Sequence, residues 1–184
     1  VASVVKLIDK ALETKVAALD YMTEKQAVYA PSNDTLLYRN FELTYVSGVV
    51  TKNSRTALSS KAGIGEENII QIADITVDFS DTDINADSYL GLYCEVLYDA
   101  DSLKGAYIDY RRNRNNVLTL TADEIYEYDS VGGLVLYERD GNYKKQLVPK
   151  DISIIFNGRA VEGNIDERMF TPDIGELAFI DNDR

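Results

Sequence analysis

The chain contains no histidine and no tryptophan, a single cysteine and only 3 prolines in 184 residues. Without histidine, the usual general base, the Cys-His and Ser-His-Asp nucleophile systems and most zinc sites are excluded together. A lone Cys94 permits no internal disulfide, so no redox compartment can be read from it. No stretch approaches the roughly 20 consecutive apolar residues that span a bilayer as a helix. Positive charge is also scarce: 19 Lys and Arg stand against 31 Asp and Glu, a net charge of −12. A field of that sign repels phosphate backbones and anionic lipid, so neither nucleic acid nor a membrane surface is the expected partner.

What is present is the composition of one folded domain, with 45% hydrophobic residues and 13 tyrosines. The chain starts at Val1 without an initiator methionine and stops in a polar turn at Arg184, so it reads as a piece of a longer protein.

Val1, Val4, Val5, Ile8, Leu12, Val16 and Leu19 recur at steps of three and four among charged residues. That spacing predicts an amphipathic helix over residues 3 to 25, docking on its own domain or on another subunit. Pro31-Ser32-Asn33-Asp34 predicts a break. Beyond it the apolar period falls to two. One or two strands are expected over 36 to 51 with a bulge or bend at Gly48, then a loop over 51 to 65. A bulged strand is expected over 68 to 79, with its register change at Ala73-Asp74. In 89 to 98, Leu90, Leu92, Cys94, Val96 and Tyr98 share the predicted core face.

Hairpins are expected where 106–112 and 117–121 flank Asn113 to Asn116, and where 125–128 and 134–138 flank Ser130 to Gly133. Two more are expected at Asp140-Gly141 and Asn157-Gly158. The predicted fold class is mainly β, an antiparallel hairpin meander or a small barrel or sandwich with an N-terminal amphipathic α-helix, α+β overall. The expected divisions are a helix in 1–30, an antiparallel β domain in 31–162 and a truncated C-terminal extension in 163–184.

Residues 62 to 103 hold ten acids and neither Lys nor Arg. Within them Asp81, Asp83 and Asp87 place oxygen ligands at intervals that resemble a calcium loop, because a hard cation wants several converging carboxylates. An EF-hand would require Gly at Ala86 and Glu at Leu92, and both are missing. The two readings are a solvated acidic turn and a weak calcium site, calcium being the one cofactor considered. Arg111, Arg112 and Arg114 form the basic cluster, expected at an exposed hairpin tip where they would be solvated or would meet an acidic partner, such as another copy of the chain.

Gly63-Ile64-Gly65 lacks the third glycine and the Lys-Ser or Lys-Thr of a phosphate loop, and Glu66 and Glu67 adjoin it. Carboxylate pairs such as Asp123-Glu124 or Asp78 with Asp81 carry little information among so many acids. Cys94 falls on a core face, where cysteine acts as a small hydrophobe. The expected mode of action is therefore contact and not catalysis, and the tyrosines suit interfaces.

The run Lys150-Asp-Ile-Ser-Ile-Ile-Phe-Asn-Gly158, followed by Pro172-Asp-Ile-Gly-Glu-Leu-Ala-Phe-Ile-Asp-Asn-Asp183, resembles segments of bacteriophage virion structural proteins of the tail, neck or baseplate. Tyr107 to Tyr110, Asn116 to Leu120 and Asp123 to Tyr126 fit the same kind of module, so the resemblance covers roughly residues 88 to 183. It implies a non-enzymatic protein located in the virion, with other virion proteins or copies of itself as partners in a homo-oligomeric or larger assembly. The other reading is a bacterial cell-surface or secreted binding module, stabilised by calcium at Asp81, Asp83 and Asp87.

Overall fold

The computed structural model describes residues 10–59, 62–163 and 166–182. Its described part is mainly β, built from antiparallel pairs. The first of these corrects the expected N-terminal helix. Residues 1–9 of that prediction lie outside the described residues; 10–12 are helical, but Lys15–Met22 (β1) is a strand paired with Ala27–Thr35 (β2). A stripe of helical period is also compatible with a strand when a partner is near, and pairing overrides local preference. The partner is brought round by a turn in which the Thr23 N–H donates to Gln26 O (2.8 Å) while the Gln26 N–H donates to Thr23 Oγ1 (3.0 Å).

Pro31 does not end the element. It stands in β2 opposite Ala17, and the register slips between Ala17 and Lys15, where Lys15 faces Thr35. Proline is tolerated there because β2 has no second neighbour among the described residues that needs its missing N–H.

A short helix follows, Leu36–Phe41 (α1), capped by Thr35 Oγ1 accepting from the Tyr38 N–H at 3.1 Å and ended by Glu42 in the left-handed region. Leu43–Lys52 (β3) then enters the main sheet. It is flanked by Ile69–Ile72 (β4), and Ile75–Asp78 (β5) lies beyond β4. On its other side are Tyr93–Asp99 (β6) and Gly105–Tyr110 (β7), giving the order β5-β4-β3-β6-β7. The expected bulged strand over 68 to 79 is thus a hairpin: Ala73 and Asp74, at φ 46° and 66°, make its two-residue turn without glycine. Gly48 sits in regular register opposite Cys94, and the register shift of β3 falls between Val50 and Lys52. A methyl group on Gly48 would press on the Ala73 side chain, so this glycine serves close approach. Cys94, Val96 and Tyr98 do face the core, with Val50, Ile70, Ile72, Val77, Phe79 and Ile108, and half-buried Leu92 packs against them. The strand expected from 89 starts only at Tyr93, and Leu90 falls at the end of the 86–89 turn, outside it.

After β7 the chain leaves the sheet, which corrects the hairpin expected around Asn113 to Asn116. Asn115–Thr121 (β8) pairs with the last strand, Glu176–Asn182 (β14), and not with β7. The Asn115 side chain explains the exit. Its Oδ1 accepts from the Tyr93 N–H (2.7 Å) and its Nδ2 donates to Tyr93 O (2.8 Å) and Arg111 O (2.9 Å), so it occupies the sheet edge in place of backbone.

Ile125–Asp129 (β9), Leu134–Arg139 (β10) and Asn142–Leu147 (β11) form a three-stranded meander. Ile155–Phe156 (β12) and Arg159–Ala160 (β13) form a small hairpin, turning at Asn157-Gly158 as expected, just as β10 and β11 turn at Asp140-Gly141. A second core, Leu120, Ile125, Val135, Tyr137, Val148 and Phe170, joins the meander to the β8–β14 pair. The segment from 163 onward therefore contributes a strand to the β structure through β14.

Candidate functional site

The three aspartates of the acidic turn diverge. Asp81 pairs with Lys104 at 2.8 Å, Asp83 is exposed, and Asp87 accepts from the Ser54 N–H (2.9 Å) and Ser54 Oγ (2.6 Å). Among the described residues no group of three or more His, Cys, Asp or Glu side chains is gathered to hold a metal ion. Lys104 also holds Asp78 at 2.5 Å, and that hydrogen bond is the main reason the Asp78 carboxyl falls to about 2. Glu124 is clamped by Arg139 through Nε (2.6 Å) and Nη2 (2.8 Å), which brings its carboxyl down to about 2. Burial, then Asp109, pushes the Cys94 thiol up to about 12, far from thiolate reactivity. These ionisation shifts belong to ion pairs and a core: Asp78 and Asp81 share Lys104, and Glu124 is held by Arg139.

The three arginines point in three directions and do not crown a hairpin. Arg111 forms an ion pair with Glu95, and Arg112 lies 6.0 Å from the Tyr110 ring centroid. The Arg114 guanidinium sits over the Tyr93 ring at 4.5 Å, a cation–π contact that carries the side chain into a cleft.

That cleft has a volume of about 980 Å³. One wall is β14, through Glu176, Ala178, Ile180 and Asn182; the opposite wall combines the 53–58 loop, Leu90-Gly91 and the β12–β13 hairpin. Local hydrogen bonds build the second wall. Asn53 Oδ1 accepts from the N–H groups of Arg55 (3.0 Å) and Thr56 (2.9 Å), and its Nδ2 donates to Asp87 O (3.1 Å). Buried Thr56 Oγ1 accepts from the Ala160 N–H (2.9 Å), which fastens the β12–β13 hairpin to the loop. Gly63-Ile64-Gly65 packs behind it: Ile64 and Gly65 donate to Asn53 O and Ser54 O, and a side chain at Gly63 would collide with the Ser54–Arg55 backbone.

Two polar atoms at this cleft are buried with no hydrogen-bond partner, Arg114 Nε and Asn182 Oδ1. The Asn182 amide is oriented by its Nδ2, which donates to Gly91 O at 2.9 Å. A buried donor or acceptor left unmade costs about 1–3 kcal/mol, so both atoms are local costs of the packing around the cleft. Sequence reasoning noticed Arg114 as charge alone. Nothing in the local pattern could bring it to the same cleft as Asn182, whose strand pairs with β8.

The second exposed feature is the β1–β2 ribbon. Leu19, Tyr21, Met22 and Tyr29 are 54%, 56%, 74% and 64% exposed. No helix among the described residues is long and apolar enough to cross a membrane. Comparison with protein-family models, with curated proteins and with solved structures finds no match to this chain.

Proposed function

We propose that this chain is a non-enzymatic structural module of a bacteriophage particle, of tail, neck or baseplate type, working through protein contacts. The β1–β2 ribbon carries the reading. Among the described residues it has only two strands, and it presents Leu19, Tyr21, Met22 and Tyr29 to solvent, with Leu19 opposite Tyr29; exposed apolar side chains grouped on one element suit a contact site. The resemblance of the 150–158 and 172–183 segments to virion proteins supplies the setting. The Lys104 and Arg139 ion pairs add support, since they hold acids in structural roles.

Two measurements test it. Mass spectrometry of particles purified from the source culture should detect peptides of the parent protein, and their absence from particles would sink the assignment. The double variant Leu19→Asp/Tyr29→Asp should melt as the parent does yet be lost from assembled particles; incorporation at the parental level would refute the role of the ribbon.

A further inference from the structure

The cleft beside β14 has no part in the ribbon reading, and its chemistry points to a different surface. We infer that it binds an extended peptide segment of a partner protein, laid along the free edge of β14, with alternating apolar residues and a lysine or arginine at the rim.

The backbone comes first. β14 pairs on one side with β8 and has no strand on its other side among the described residues. The outer edge of β8 is partly occupied, because Arg139 Nη2 donates to Thr119 O at 2.5 Å. Among the described residues no comparable bond covers the outer edge of β14. An open strand edge is a template for strand addition, in which main-chain hydrogen bonds give affinity and side-chain pockets give selectivity.

The lining comes second. Apolar lining from Leu58, Leu90, Ile155 and Ile180 suits side chains projecting from alternate positions of an extended segment.

Charge selects the rest. Asp151, Glu176 and Asp181 stand exposed along the cleft against one exposed cation, Arg55, so the rim favours a basic residue.

The test uses a displayed library of random peptides about nine residues long, enough to span β14 at ~3.3 Å per residue, selected against the immobilised chain. Selection should converge on alternating apolar sequences containing Lys or Arg. Ala178→Phe places a ring from an exposed position into the cleft and should lower the affinity of the selected peptides by about tenfold or more, equivalent to ~1.4 kcal/mol. Glu176→Lys should weaken them severalfold, most at low salt. In the unaltered chain, bound peptide should slow amide hydrogen exchange along β14. Failure to converge, or peptides that bind Ala178→Phe as well as the parent, would overturn the inference. Unchanged affinity in Glu176→Lys would overturn the preference for a basic residue.

Discussion

β1 and β6 are both apolar strands in antiparallel pairs, yet one is exposed and the other forms the centre of a core. Val96 and Cys94 in β6 are 0% exposed, whereas Leu19 and Met22 in β1 lie mostly in solvent. Composition does not separate them. β6 is flanked by β3 and β7 in a five-stranded sheet, and Ile70 of β4, Val77 of β5, Phe79 just after it and Ala86 of the 86–89 turn pack into the same core; among the described residues β1 pairs with β2 alone. Burial requires a further layer, and among the described residues the ribbon has none.

The contrast breaks most sharply at Phe79. Phe79→Ala should remove about 3–5 kcal/mol from stability measured by denaturant unfolding, the range for deleting a buried ring. Next is Gly105, beneath that ring, where a methyl group would overlap the Phe79 side chain. Gly105→Ala should cost about 1–3 kcal/mol by overpacking, and an unchanged unfolding midpoint would show that the core yields there.

The third prediction concerns pH. Glu124 is lowered from 4.5 to about 2 in the folded chain, chiefly by its hydrogen bond from Arg139. The folded value lies below the unfolded one, so the stabilisation is present above pH 4.5 and lost as pH falls from there through about 2. Acid titration of Glu124→Gln should therefore lose less stability across that window than the parent, and parallel profiles would remove Glu124 from the account. The smallest effect belongs to the ribbon. Leu19→Ser should change stability by no more than about 0.5 kcal/mol, since its side chain is largely in water already. A larger loss would mean that the ribbon shares the core's cooperativity, which would dissolve the comparison.

The parts legible in the sequence were those decided locally. Asp140-Gly141 and Asn157-Gly158 predicted their turns because positive φ at both central positions selects such residues, and the alternation of Cys94, Val96 and Tyr98 predicted their common face. Ala73-Asp74 makes a turn of the same kind without the glycine, so only a register change could be read there. Strand identity in 15–22 depended on a partner supplied by 27–35, and the hairpin expected around Asn113 failed because Asn115 anchors to Tyr93. The cleft was invisible for a related reason. Its walls come from 49–58, 85–93, 114, 151–158 and 176–182, and no window of sequence spans them.

The return of β14 to β8, together with the Thr56–Ala160 hydrogen bond across 104 residues, has a consequence for the order of assembly. Contacts so distant along the chain close late, after the entropy of a long loop has been overcome. During synthesis the five-stranded sheet can form as soon as β7 emerges, but the β8–β14 pair must wait for the final strand. Until then Leu118 and Leu120 lack Leu177 and Phe179 of β14 beside them, and this is the interval in which a nascent chain would most need a chaperone or a neighbouring copy.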